Sequence, residues 1–153
     1  MAESLILELV EDDSVGRVTT SARVENLRDL YDAERKMIDD RNVRRVEVVQ
    51  ALVDTGARTL ALPTRMIQQL GLKKVRERTT ITTSGLAPVS MYEAVRLTIM
   101  DRDCIVEVME VSDATPALIG QIPLEILDLV VNPAARTLTG NPEHGGEHVL
   151  ELL

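Results

Sequence analysis

Asp54-Thr55-Gly56 is the place in this chain where residue types and spacing could do acid–base chemistry. A carboxylate beside glycine most often caps a turn, and the tripeptide alone is weak grounds for more. Its context says more. The aspartate follows the apolar run Ala51-Leu52-Val53, precedes Ala57, and is answered later by Ala117-Leu118-Ile119-Gly120. Two other places invite different chemistry. His144-Gly145-Gly146-Glu147-His148, next to Glu143, has metal-ligand residue types, but its glycines break the helix that would put both histidines on one face. It reads as a solvated turn, and no metal is expected. Cys104 lies in an alternating strand with neither histidine near it in sequence, and reads as a small buried hydrophobe rather than a nucleophile.

The elements that must hold these residues read as mostly β. Alternation predicts strands over residues 17–24, 43–53, 79–83, 89–100 and 104–111, with short apolar strands at 60–62 and 117–119 and a small one at 137–139. Pro63 opens a helix over 64–70 that Gly71 closes, and Pro123 begins a second over 124–129. Residues 25–40 carry a short surface helix. Ser84-Gly85-Leu86-Ala87-Pro88 is a hairpin tip, and Asp101-Arg102-Asp103 a turn. Arg41, Arg44 and Arg45 read as a solvated strand edge. The two units of apolar strand, glycine and proline-opened helix suggest internal pseudo-symmetry. Residues 1–14 form a tail or strand, 15–140 one domain with a helical insertion at about 25–40, and 141–153 a tail whose apolar end, His148-Val149-Leu150-Glu151-Leu152-Leu153, is a candidate dimer strand.

Composition closes off several classes. The chain has 153 residues, room for one ordinary core. Its net charge of −8 argues against nucleic acid or an anionic membrane as a general partner. With no Phe or Trp, and only Tyr31 and Tyr92, the core must be aliphatic and base-stacking platforms are absent. The single cysteine excludes an internal disulfide and suits a reducing compartment. Neither a signal peptide nor a run of 18 apolar residues is legible, so a cytoplasmic protein is expected.

The run Ala51-Leu52-Val53-Asp54-Thr55-Gly56-Ala57, the hairpin around Gly85, and Leu118-Ile119-Gly120 resemble the retropepsin-like (retroviral-type) single-domain aspartic proteases, and their bacterial relatives most. The resemblance covers about residues 43–132. It implies a mostly β fold: a closed antiparallel, barrel-like acid-protease domain with two or three short helices, active as a homodimer without cofactor. It implies that Asp54 is catalytic, supported by Thr55, Gly56 and Ala57, with Thr55 reaching across the dimer axis. Leu118, Ile119 and Gly120 would bracket that loop. Thr83, Ser84, Gly85 and Leu86 would form a flap closing on substrate. Where the viral enzymes carry an acidic residue after the alanine, this chain has Arg58, so Arg58 and Ile81 become the substrate-contact candidates and specificity does not transfer.

Such chemistry explains the residue types. One group must activate water while another polarises the carbonyl. Two close carboxylates do both, because like charges cannot ionise together and the pair keeps one proton. One motif per chain then requires a second copy of the chain. The expected function is an aspartic endopeptidase acting on extended peptide between bulky apolar residues, with Leu52, Ile81, Leu86, Val89 and Ile119 near the cleft. An alternative from another class is a non-catalytic dimeric module that holds peptide in the same cleft; a third is a hydrolase using a metal on the tail histidines.

Overall fold

A computed structural model describes residues 17–150. The N-terminal tail expected over 1–14 and the last three residues lie outside the described residues. The chain runs β1 (Thr19–Asn26), α1 (Leu27–Glu34), β2 (Arg45–Val53), β3 (Leu60–Pro63), α2 (Thr64–Leu70), β4 (Lys74–Thr82), β5 (Gly85–Ile99), β6 (Arg102–Val111), β7 (Leu118–Ile119), α3 (Gln121–Leu127), β8 (Leu129–Asn132) and β9 (Thr137–Gly140). It is mostly β with three short α-helices among the described residues, as expected.

The main sheet has strand order β1-β2-β7-β3-β6-β5-β4, and β1 also pairs with β5. That extra pairing bends the sheet into a ring, leaving β4 outside it on β5. β1 manages two partners by being long enough to share: Thr19 to Glu25 face β2, while Arg23 to Asn26 face β5. Most pairings are antiparallel; β2 with β7 and β3 with β6 are the parallel ones. The interior is aliphatic, as a chain without Phe or Trp requires, and its fully buried members include Leu60, Leu62, Leu97, Ile99, Ile119 and Leu127. Burying each such side chain contributes about 1.5–3 kcal/mol.

Polar residues inside the fold explain the segment between β1 and β2. Asn26 caps α1 by accepting from Asp29 N–H at 3.0 Å, and its amide donates to Leu70 O at 2.7 Å. The helix stops at Glu34, because Lys36 takes a left-handed φ of 63° and turns the chain away. Met37 therefore lies exposed on a loop rather than on a helix face. Buried Asp29 accepts from Arg44 Nε and Nη2 at 2.8 and 3.0 Å. Buried Glu25 accepts from Arg45 Nε at 3.1 Å and from Arg96 Nη2 at 2.8 Å. Arg44 and Arg45 are thus counter-charges to buried carboxylates, not the solvated edge the sequence suggested. A charge run read without its partners gives no sign of this.

Smaller differences are shifts of element boundaries by up to five residues. The β5–β6 turn is Met100-Asp101, both with positive φ, so Arg102 and Asp103 already belong to β6. β4 starts earlier than alternation suggested, at Lys74, because most of that strand is exposed and carries charged or threonine side chains with no apolar face to read. α3 starts at Gln121, which puts Pro123 inside its first turn, where a missing N–H costs nothing.

Candidate active site

The loop after β2 is held by backbone bonds from three sides. Asp54 N–H donates to Ile119 O at 2.9 Å, which extends the β2–β7 pairing by one residue. Ala57 N–H donates back to Asp54 O at 3.0 Å, closing the turn. Gly120, Gln121 and Ile122 N–H then donate to Thr59, Ala57 and Arg58 carbonyls at 3.0, 2.9 and 2.8 Å. So β7, threaded between β2 and β3, clamps the loop with its own end and with the start of α3. The bracket expected at Leu118, Ile119 and Gly120 sits in that position.

Glycine is needed in this loop for space. Gly56 N–H donates to Asp54 Oδ1 at 2.9 Å, and a Cβ at Gly56 would lie 3.2 Å from that oxygen. Asp54 is partly buried, whereas Thr55 and Gly56 are exposed. Among the described residues the Thr55 hydroxyl has no hydrogen-bond partner. Two concave spaces flank the loop. One, of about 530 Å³, is lined by Asp54, Thr55, Val53, Gln121, Val130 and Val131. The other, of about 360 Å³, is lined by Arg17, Thr19, Gln50, Leu52 and Pro116.

Register separates cleft residues from core residues. Leu52 pairs with Thr19 on one side and Leu118 on the other, so the three share a face. Thr19 is exposed and the two leucines are half-buried, so that face is not the core. Val53 pairs with Ile119 on the opposite face, and Ile119 is 0% exposed. Ile119 is therefore a core residue rather than a wall of the cleft, and Leu118 takes the place expected of it. The sequence could have shown this, since β7 follows β2 in parallel and alternation assigns faces.

The expected flap is the β4–β5 hairpin. Its turn is only Thr83-Ser84, because Thr82 pairs with Gly85 and Ile81 with Leu86. Gly85 has a φ of +116°, which L side chains rarely adopt. Ile81 and Leu86, 84% and 75% exposed, face each other with nothing among the described residues over them.

The residues of the rival chemistries have structural partners. Burial pushes the Cys104 thiol up to about 11, far from a useful thiolate. His144 Nδ1 donates to Asp128 Oδ2 at 2.7 Å, and His148 Nε2 donates to Ile126 O at 3.0 Å. Asp128, which the sequence did not single out, also accepts from Val149 N–H at 3.0 Å and Asn141 Nδ2 at 3.2 Å. These hydrogen bonds from His144, Val149 and Asn141 outweigh its desolvation and hold its carboxyl below the usual range. The tail from Asn141 is thus docked on the end of α3, and His148 to Leu150 form no strand.

A family model described as aspartyl protease matches residues 37–131, more than half of the chain. The chain belongs to the aspartyl protease family. The match contains the Asp54 loop, the β4–β5 hairpin and the β7–α3 clamp; β1, which closes the ring, and β9 lie outside it. No match was found among curated proteins. No helix among the described residues is long and apolar enough to cross a membrane.

Proposed function

We propose that the chain is an endopeptidase in which two copies bring their Asp54 carboxylates together and share one proton across the axis. The observation that carries the reading is the clamped loop: a partly buried aspartate in a loop held by five backbone bonds, in a chain of the aspartyl protease family. One carboxylate cannot both take a proton from water and give one to the carbonyl oxygen, so a single chain has half a site. In the pair, the ionised carboxylate takes a proton from the attacking water. The protonated carboxyl donates to the substrate carbonyl oxygen; as the C–N bond of the tetrahedral diol breaks, the proton taken from water passes to the leaving nitrogen and a diol hydroxyl returns its proton to the dyad.

Three features support the second copy. Thr55 presents an unengaged hydroxyl beside Asp54. The concave space that contains Asp54 and Thr55 is walled by Val130 and Val131 of β8. Among the described residues β8 and β9 pair only with each other, so each keeps an open edge for a partner strand. The β8–β9 hairpin replaces the C-terminal tail as the candidate dimer strand, since the tail is bound to its own Asp128. An extended peptide would lie between the hairpin tip and the Leu52–Leu118 face, and the lone cysteine suits a reducing, cytoplasmic setting.

Asp54→Asn tests this. The amide keeps the shape and the Gly56 N–H contact but cannot share the proton. Cleavage of a peptide library should disappear, with the circular dichroism spectrum and sedimentation coefficient unchanged. Cleavage at near wild-type rate would overturn the assignment.

A further inference from the structure

Past the catalytic loop the surface opens into a groove of about 600 Å³ with an aliphatic floor and a cationic rim. Arg58 stands at one side and Arg78 of β4 at the other, over a floor that includes Ile105, Met109 and Ile122. Ile105 and Ile122 are 53% and 41% exposed, unusual for isoleucine on the surface of a chain this acidic. The one carboxylate among the described residues lining the groove, Glu107, is already matched: Arg76 Nη1 donates to both its oxygens, at 2.6 and 2.7 Å. Neither the Arg58 nor the Arg78 guanidinium has a hydrogen-bond or ion-pair partner among the described residues. Elsewhere in this chain Arg23, Arg28, Arg44, Arg45 and Arg96 all meet carboxylates. Two uncompensated guanidiniums on one apolar groove reverse the sign of the surface locally.

We infer that this groove is a subsite for an extended peptide segment in which acidic side chains alternate with apolar ones, the stretch of substrate that runs outward past Arg58. The inference rests on the endopeptidase reading for its occupant. Arg58 lies four residues after Asp54, and its carbonyl is pinned by Ile122 N–H at 2.8 Å, so its guanidinium projects from a fixed backbone. An extended chain sends successive side chains to opposite sides. One set can rest on Ile105 and Ile122 while the other meets the rim. A guanidinium suits a carboxylate through two parallel N–H donors, whereas a lysine in the peptide would meet like charge and a glutamine would offer a neutral acceptor in place of an ionised one. Arg58 and Arg78 are then the residues that select the flank of the substrate.

The probe is a short fluorescein-labelled peptide alternating leucine and glutamate, compared with its leucine–glutamine counterpart by anisotropy. Binding is measured on wild type and on Asp54→Asn, which should not consume it. The glutamate peptide should bind about tenfold more tightly at low salt, with the advantage shrinking as salt rises. Arg58→Gln with Arg78→Gln should remove the advantage, whereas Glu107→Gln, which uncovers the Arg76 guanidinium beside the groove, should enlarge it. Equal binding of the two peptides, or an advantage that survives the double variant, overturns the subsite. Charge-selective binding by a wild-type protein that cleaves nothing would instead sink the endopeptidase reading and leave the subsite standing.

Discussion

A methyl group added at Gly120 would sit 2.5 Å from the Thr59 carbonyl oxygen and 2.7 Å from that of Ala57. Both are backbone atoms of the Asp54 loop, so no side chain can swing aside to relieve the clash. Gly120→Ala must push the loop away from α3 and weaken the bonds that Gln121 and Ile122 make to it. The expected cost is about 1–3 kcal/mol, as for overpacking elsewhere. Activity should fall further than stability predicts, because the displaced backbone carries Asp54. Thermal melts and kcat/KM of the same preparation check this; a variant with normal kcat/KM would show that the clamp does not position the carboxylate. Gly56 is the milder case, since a Cβ there meets only the Asp54 side chain at 3.2 Å.

At the scale of elements, the β4–β5 hairpin and α1 behave differently. The hairpin extends beyond the ring, its tip is exposed, and its stability is local. Gly85→Ala forces an L residue to a φ of +116° and should distort the tip. Because little core burial is at stake, the melting temperature should move by a few degrees at most, about the effect of 1 kcal/mol. Turnover should drop severalfold if the tip closes over peptide; unchanged turnover would remove the hairpin from the mechanism. This element was legible in the sequence as turn chemistry around Gly85, and the Pro63–Gly71 helix was legible to the residue. The closing of the ring by β1 was not, since a strand's second partner leaves no trace in its own alternation. Nor was the pairing of Arg44 with Asp29: local patterning reports which face a side chain takes, while a partner across the fold depends on topology.

α1 is tied down by charge as much as by burial. Hydrogen bonds from Arg44 hold the Asp29 carboxyl below its usual range, and those from Arg28 do the same for Glu93. A carboxyl depressed in the folded state stabilises the fold above its unfolded value, near 4, and the gain disappears as pH falls through the folded value. Urea midpoints should therefore be flat near neutrality and decline below about pH 4. Asp29→Asn should cost about 1–2 kcal/mol at neutral pH, since it weakens the charged hydrogen bonds from an Arg44 side chain that solvent still reaches. It should also flatten the acid decline. Midpoints for the variant that follow the wild-type slope would mean that other carboxylates carry it.

For the whole molecule, the decisive property is that each chain supplies one loop of the Asp54 type. Mixing then becomes an assay of symmetry. With equal amounts of wild-type and Asp54→Asn chains exchanging freely, only wild-type pairs have both carboxyls. Activity per wild-type chain should fall to about half, and toward zero in excess variant. A chain that works alone, or whose two carboxylates both come from within itself, would show no loss at any ratio. Loss of activity without any change in sedimentation as the chains are diluted would also be informative, because it separates a dimer that dissociates from a loop that opens. Opening the β8 edge should act through the first route. Introducing a lysine at Val130, which lines the space beside Asp54, places a charge where strands of two copies would meet. The expected result is a monomer that keeps its fold and loses cleavage, read together by sedimentation and peptide turnover; a cleaving monomer would end the two-chain account.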